Sequence, residues 1–210
     1  MTKLLTIIVP LYNRERLIIR ALDSIPKRSD IEIIIVDDAS TDNSLQLVNE
    51  WSKNNKQFKV ILLHNQYNSG PGECKNIAYS LASAEYIYVL DSDDYILTDV
   101  FNDLLNNLKT IYSDYDIVRI KNRINTGEVD KKPHTAGWSY ILKNRFKSVK
   151  YPKVRKAEDW LYWLELHKLD IKEIDTDIVC YHYNYPHEGS IVWEYEHGKI
   201  DWKGDPINAT

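Results

Sequence analysis

Long apolar runs are the first thing this sequence lacks. The longest uncharged apolar stretch, Leu4 to Tyr12, falls well below the roughly 18 residues that a membrane-spanning helix requires, so no integral membrane segment is expected. That stretch also contains Pro10 and runs into Asn13-Arg14, unlike the basic, apolar and small-residue succession of a secretory signal, and the expected location is the cytoplasm. Cysteine is scarce. Cys74 and Cys180 are too few and too far apart for a disulfide framework or a zinc knuckle, and both read as buried, reduced thiols. Seven glycines and seven prolines in 210 residues, with no short repeat, exclude collagen-like and low-complexity architectures. Positive charge is not in excess either: 27 Lys+Arg stand against 31 Asp+Glu, and a formal net charge of −4 gives no global attraction to nucleic acid. What is present is 43% hydrophobic residues, enough for one buried core and too many for a disordered chain.

Those apolar residues come in short β-branched runs bounded by turn residues. Leu4 to Val9, Ile31 to Val36, Phe58 to Leu63 and Tyr86 to Leu90 have the length and composition of strands buried on both faces. Between them, Arg14 to Ile25 sets Leu17, Ile18, Ala21, Leu22 and Ile25 on one helical stripe, and Ser44 to Trp51 does the same with Leu45, Val48 and Trp51. Thr41-Asp42 offers a cap to that second helix, and Pro71 suits the first turn of a third helix through Ala82. Strands and helices in this alternation predict an α/β fold with a mostly parallel sheet flanked by helices and joined by right-handed crossovers. After about residue 98 the rhythm changes to a helix ending at Leu108, a strand near Asp116 to Ile120, a polar stretch from Asn122 to Thr135, and helices around Trp138 and Trp160. The reading is one domain over residues 1–210, in which residues 98–210 form a C-terminal half packed on the same sheet.

In such sheets ligands bind beyond the carboxyl ends of the strands. There the fourth run ends in Asp91-Ser92-Asp93-Asp94, three carboxylates in four positions. Like charges this close cost free energy unless something positive compensates. Hard oxygen donors on a loop suit Mg²⁺ or Mn²⁺, held by one or two carboxylates together with substrate phosphates. An Asp-rich turn or cap accounts for Asp94 and leaves Asp91 unexplained. Asp37-Asp38, after the second run, is a second acidic pair on the same edge. Alone it reads as an Asx turn. With Asp91 and Asp93 it points to a nucleotide, one carboxylate accepting from an N–H of the base and another lying near ribose or metal. Tyr12 then offers a face for the base, and Pro10 stiffens the loop that carries it.

Five segments in order carry a resemblance: Ile8-Val9-Pro10-Leu11-Tyr12-Asn13; Ile35 to Asp42; Asn68-Ser69-Gly70-Pro71-Gly72 with Lys75-Asn76; Leu90 to Asp94; and Ala157-Glu158-Asp159-Trp160. Over most of residues 4 to 183 the chain resembles glycosyltransferase family 2, enzymes of the GT-A fold that use nucleotide-diphospho-sugars. The resemblance implies that Asp93 ligates a Mn²⁺ or Mg²⁺ bridging the donor's two phosphates, with Asp91 closer to the ribose and metal and Ser92 between them in the donor site. It implies that Asp37 binds the uracil of a UDP-sugar, that Pro10, Tyr12 and Arg14 make the first donor-loop contacts, and that Asp159 is the catalytic base. Lys75 stands where many relatives carry arginine, and toward the diphosphate it would act as a point charge without a fork. Residues 1–97 become the nucleotide-sugar-binding half and 98–210 the acceptor-side half. The implied acceptor is a hydroxyl of a glycan, a lipid-linked sugar or another alcohol, met in the cytoplasm or at the inner membrane face. A metal-stabilised diphosphate needs no general acid, so one carboxylate suffices to deprotonate the acceptor, and a single displacement inverts the anomeric configuration.

Several residues keep two readings. Glu158 and Asp159 also suit the first turn of a helix, where acids interact favourably with its dipole. His182, in Cys180-Tyr181-His182-Tyr183, is a further metal ligand or a satisfied core or surface histidine; His187 sits on a loop able to fold over the donor, and His64 reads as structural. Trp160 and Trp163 read as core by helical spacing, and Trp138 after Gly137 as the acceptor platform. The stretch Asn122 to Thr135 is a lid or an exposed loop. Two rivals remain. A sugar nucleotidyltransferase would carry a Gly-rich basic loop where this chain has Leu11-Tyr12-Asn13-Arg14, and a catalytically silent nucleotide-sugar-binding protein would not need both acidic motifs and Asp159. No G-x-G-x-x-G follows the first run, which disfavours a dinucleotide-binding enzyme.

Overall fold

The computed structural model describes residues 3–129, 136–154 and 157–184. Strand β1 (Leu5–Leu11) is buried except for the half-buried Pro10, and β2 (Ile31–Asp37) and β4 (Tyr86–Val89) are buried at every position. They share a parallel sheet with β3 (Lys59–His64), the crossovers running through α1 (Ile18–Asp23), α2 (Ser44–Asn54) and α3 (Pro71–Leu81). The later strands continue the same sheet. β7 (Tyr140–Lys143) runs antiparallel to both β4 and β6 (Ile117–Ile124), while β8 (Glu173–Tyr183) is parallel to β6 and antiparallel to the short β5 (Tyr95–Ile96). The order across all eight strands is β3-β2-β1-β4-β7-β6-β8-β5. Helices α4 (Thr98–Asn107) and α5 (Glu158–Leu166) complete the layers.

Because side chains alternate along a strand, neighbouring residues feed opposite cores. Ile7, Val9, Ile33, Ile35 and Tyr88 pack against Ile18, Leu22, Val48, Trp51, Phe101 and Leu105 of α1, α2 and α4. Ile8, Ile34, Val36, Ile87 and Val89 pack on the other face with Ala78 and Tyr79 of α3 and Tyr162, Trp163 and Leu166 of α5. This is the α/β, mostly parallel and helix-flanked sheet that the sequence predicts.

Three details differ. The third apolar run is not buried on both faces, because β3 forms an edge of the sheet and none of its residues is fully buried. The strand expected near Asp116 to Ile120 extends to Ile124, its residues 122–124 pairing with β8, so Asn122 to Ile124 belong to the sheet rather than to a loop. Trp138 sits in one 3₁₀ turn (Gly137–Ser139) that leads directly into β7, four residues too short to announce themselves in the sequence. Residues 130–135 and His187 lie outside the described residues.

Candidate active site

Parallel registration brings the carboxyl ends of three strands together. Leu11 pairs with Asp37 and Asp37 with His64, and Leu90 donates its N–H to the carbonyl of Ile8 at 2.9 Å, which places Asp91 beside the end of β1. The loops beyond are stitched to one another. Asn13 N–H donates to Ser40 Oγ (2.9 Å), Arg14 N–H to Ser44 Oγ (2.7 Å), Glu15 N–H to Asp42 Oδ2 (3.0 Å) and Thr41 N–H to Asn13 Oδ1 (2.8 Å). Asp42 also accepts from Ser44 N–H at 2.9 Å, while the N-cap of α2 is Asn43, one residue beyond the Thr41-Asp42 expected to cap it, and makes no side-chain cap bond. Asn13, Ala39 and Ala157 adopt left-handed backbone with φ of 50°, 62° and 62°, and each borders a site residue. Such conformations are costly for residues with a Cβ and cluster at functional sites.

The two acids after β2 divide their work. Asp38 holds the β3–α3 loop, accepting from Ser69 N–H (2.9 Å), Asn65 Nδ2 (2.9 Å) and Gly70 N–H (2.8 Å). Asp37 is fully buried; its Oδ2 accepts from Ser40 N–H at 3.2 Å and faces His64 Nδ1 at 2.7 Å. Its Oδ1 is buried with no hydrogen-bond partner. A buried carboxylate oxygen without a donor is costly, and an N–H of a bound base is the kind of group that would satisfy it. Tyr12, next to the end of β1, is exposed, as a stacking face must be. Sequence reasoning set His64 aside as structural; its place against Asp37 follows from the β2–β3 register, which the sequence does not display.

The acids after β4 are also unequal. Asp94 is buried and structural: its Oδ2 accepts from Tyr181 Oη (2.6 Å) and its Oδ1 from Asn184 N–H (2.7 Å), tying the end of β8 to this loop. Ser92 is buried. Asp93 Oδ2 meets Arg14 Nε at 3.2 Å, and Arg20 donates to the Asp93 carbonyl at 2.7 Å. The Asp91 carboxyl is pushed up to about 7: burial is the main cause, Asp159, Asp93 and Glu158 add to it, and Lys75 opposes them. Burial and neighbouring acids together disfavour the charged form of Asp91, and a divalent cation on hard oxygen donors would favour it. Among the described residues no three His, Cys, Asp or Glu side chains converge as a cage. Mg²⁺ in phosphate sites is held by one or two carboxylates, substrate phosphates and water, and Asp91 and Asp93 are two carboxylates that could serve. His182 lies at the β5–β8 edge, its ring stacked on Tyr95 at 4.3 Å and its Nε2 3.0 Å from Asn125 Oδ1. Burial, with Arg123 and Arg20 nearby, lowers its pKa, and its Nδ1 is buried without a partner.

The last part of the site comes from α3 and α5. Gly72 lets α3 abut the following chain, since a Cβ there would stand 3.0 Å from the Pro152 carbonyl. Three residues on, Lys75 is 2% exposed and reaches Glu158 Oε1 at 3.1 Å and Asp159 Oδ1 at 2.8 Å, above the Tyr151 ring at 5.0 Å. Tyr151 stacks on Tyr162 at 3.9 Å and forms a floor beneath the ammonium. Burial disfavours the charge of Lys75, but Asp159, Glu158 and Asp91 outweigh it and raise the lysine above its ordinary value. Burial raises Glu158 above the usual carboxylate range, with Lys75 opposing and Asp159 adding. Asp159 keeps 21% of its side chain exposed at the first turn of α5. Lys75, assigned to the diphosphate by resemblance, therefore has its contacts with the acids of α5. Glu158, a weak candidate from sequence, is a buried member of this cluster.

The tryptophans are exchanged relative to expectation. Trp138 is 3% exposed and lies flat on Tyr181 with centroids 4.8 Å apart, so it is core and not an acceptor platform. Trp160, expected in the core, is 51% exposed beside Asp159, while Trp163 is buried as predicted.

The Glycosyl transferase family 2 profile matches residues 6–185. The chain belongs to glycosyltransferase family 2. Across 206 residues this chain is 30% identical to UDP-Glc:alpha-D-GlcNAc-diphosphoundecaprenol beta-1,3-glucosyltransferase WfaP of Escherichia coli, covering 90% of this chain and 80% of that one. It is 39% identical over 122 residues to the poly(ribitol-phosphate) beta-glucosyltransferase of Bacillus spizizenii, covering 56% of this chain and 19% of the relative. To the Staphylococcus aureus poly(ribitol-phosphate) beta-N-acetylglucosaminyltransferase TarS it is 34% identical over 120 residues, 55% of this chain and 21% of TarS. The chain thus spans about a fifth of the length of those two relatives. The crystal structure of TarS 1-349 with UDP-GlcNAc superposes with a TM-score of 0.77 at 24% identity, covering 89% of this chain and 60% of that one. The mannosyltransferase of Pyrobaculum calidifontis with GDP-Man and Mn²⁺ gives 0.74 at 20% identity over 95% of this chain and 62% of that one. These likenesses show that the fold is the GT-A type.

Proposed function

We propose that this glycosyltransferase moves a sugar from a UDP-sugar to a hydroxyl of a lipid-linked saccharide with inversion of the anomeric carbon. The observation that carries the reading is the Lys75 cluster. A buried lysine joins Asp159 of α5 to the rim of β4, where Asp91 stands, so one partly exposed carboxylate lies beside the acids suited to a diphosphate and its cation. Asp37 Oδ1, buried and lacking a donor, suits the N3–H of uracil, and Tyr12 suits its face. Asp93 and Asp91 would hold Mn²⁺ or Mg²⁺, whose chemistry when bound is to stabilise the negative charge of the departing diphosphate. Arg14, beside Asp93, lies within reach of the same phosphates.

The residues of this chain then have defined tasks. Asp159 accepts the proton of the acceptor hydroxyl; the oxygen forms its bond to the anomeric carbon as the bond to the β-phosphate oxygen breaks, and that electron pair leaves with UDP. Lys75 holds the Asp159 carboxylate in place through a 2.8 Å bond, and Glu158 completes the lysine's coordination. Attack opposite the leaving group gives a β product from an α donor, in keeping with the beta-transferases named among the relatives. WfaP, similar along 90% of this chain and named for a diphosphoundecaprenol substrate, supports a lipid-linked acceptor.

The test is calorimetry and turnover with UDP-glucose or UDP-GlcNAc and Mn²⁺. Asp159→Asn is expected to bind donor as the native chain does and to lose transfer by at least about a hundredfold, the scale of general-base catalysis. Asp37→Ala is expected to weaken UDP binding. Near-normal transfer by Asp159→Asn would remove Asp159 from the chemistry.

A further inference from the structure

Tyr162, Trp163 and Leu166 anchor α5 to the sheet, and the opposite side of the helix is apolar as well. Trp160 is 51% exposed, Leu161 38% and Leu164 42%, and Leu169, just past the helix end, is 45% exposed. A single exposed leucine is ordinary, but four large apolar side chains within ten positions of one element mark a contact surface.

The sequence on either side of α5 is basic, although α5 itself carries Glu158, Asp159 and Glu165. Residues 143–172 hold nine Lys and Arg against four Asp and Glu, in a protein of formal net charge −4, and residues 143–156 contain seven basic residues and no acidic one. Part of this charge is used internally: Lys143 and Arg145 flank Asp116, and Lys147 donates to the Ala82 carbonyl. Lys150 and Lys153 are exposed and pair with no acid among the described residues. Tyr151, between the two lysines in the chain, stacks on Tyr162 of α5 at 3.9 Å, so their segment packs against this helix. An exposed Trp and leucines on a helix with lysines on the adjoining segment match the composition that settles at an anionic lipid interface. A second copy of the chain fits less well. A two-fold dimer over α5 would bring Lys150 and Lys153 of one copy toward those of the other, and like charges across an interface oppose association.

We propose that the outer face of α5, together with Lys150 and Lys153, docks on an anionic lipid bilayer. This rests on the transferase reading above and gives its acceptor a direction. Nine residues of helix span about 13 Å, so a bilayer against Trp160 and Leu161 lies next to Asp159, where a sugar carried on a lipid diphosphate would arrive.

Sedimentation with vesicles tests the surface. The full chain is expected to pellet with vesicles containing phosphatidylglycerol and to stay in solution with pure phosphatidylcholine, and binding should fall with added salt. Leu161→Ser/Leu164→Ser is expected to weaken vesicle binding about tenfold, the effect of withdrawing some two-fifths of each leucine from the interface. Lys150→Glu/Lys153→Glu should abolish the preference for anionic lipid. UDP binding by calorimetry, measured without vesicles, shows that each variant is folded and reports separately on the transferase reading. The proposal is overturned if the native chain ignores phosphatidylglycerol vesicles, if Leu161→Ser/Leu164→Ser binds them as the native chain does, or if light scattering finds a dimer that this variant splits.

Discussion

Replacing Lys75 by methionine isolates the interaction on which the site depends. Methionine keeps the length of the stem and removes the ammonium, leaving Glu158, Asp159 and Asp91 with no common counter-charge in a pocket where the native lysine is 2% exposed. Breaking a buried pair from one side costs on the order of 3–5 kcal/mol, because the remaining charge stays desolvated. Asp159 is one-fifth exposed and can draw on water, so the lower figure, about 3 kcal/mol, applies at pH 8. For a domain of this size that is a fall of about 6–12 °C in the unfolding midpoint. The sign of the pH dependence follows from the acids. Asp91 titrates near 7 in the folded chain, above its ordinary value of 3.8, so its contribution is most favourable below the lower value and is lost as pH rises through the upper one. Removing Lys75 lifts Asp91 and Glu158 further. Both then take up protons more readily, and the deficit should shrink between pH 8 and pH 5. Adding Glu158→Gln to Lys75→Met should recover part of the stability at pH 8 by withdrawing one of the stranded acids. Differential scanning calorimetry of the native chain and the two variants at both pH values decides the matter. A Lys75→Met midpoint within about 1 °C of native at pH 8, or the same deficit at pH 5 and pH 8, would refute the charge account.

At the opposite end of the sheet Glu32 is buried; burial works against its charge, but hydrogen bonds from Thr6, Lys59 and Ser83 outweigh it and bring the carboxyl down to about 2 from 4.5. Its contribution, about 2–3 kcal/mol after allowance for the half-exposed Lys59, is present above pH 4.5 and lost as pH falls toward 2, so urea titrations of Glu32→Gln and native chain should converge at low pH. The exchanged tryptophans separate just as cleanly. Trp138→Ala should cost about 3–5 kcal/mol by emptying the stack on Tyr181, and Trp160→Ala less than about 1 kcal/mol, both read from chemical denaturation.

Residues that bury on both faces of a central strand have to be apolar throughout, which is why β1, β2 and β4 are legible as runs of Ile, Leu, Val and Tyr. The same composition in β3 says nothing about which strand ends at the edge, since edge position is decided by pairing and not by the run itself. Helix α5 shows the limit of spacing arguments. Trp160 and Trp163 are three apart and fit one stripe, but the stripe that packs is Tyr162, Trp163 and Leu166, and Trp160 falls opposite. At the site, acids at strand ends were visible as charge concentrated beside apolar runs. Their division into Asp37 against Asp38, and Asp91 and Asp93 against Asp94, was not, because it depends on partners such as Gly70, Tyr181 and Asn184 that lie 32 to 90 positions away. The contact between Lys75 and Asp159 crosses 84 positions and has no local signature.

The two ends of the parallel strands are built on opposite electrostatic terms. At the amino end Glu32 is one acid with donors from Thr6, Lys59, Ser83 and Ala84, and its low pKa shows that the charged form is fully accommodated. At the carboxyl end Asp91 and Glu158 are pushed up, Asp37 has an oxygen with no donor, and the loops carry left-handed backbone at Asn13, Ala39 and Ala157. Left-handed backbone costs roughly 1–2 kcal/mol per residue with a Cβ, and it persists here because neighbouring hydrogen bonds, such as Asn13 N–H to Ser40 Oγ and Ser40 N–H to Asp37, leave the loops no easier path. A chain that satisfies one acid so completely has the means to satisfy the others. The raised Asp91, the donorless Asp37 oxygen and the left-handed backbone all lie at one rim, and under the function proposed above a base with an N–H, a pyrophosphate and a divalent cation would complete it together.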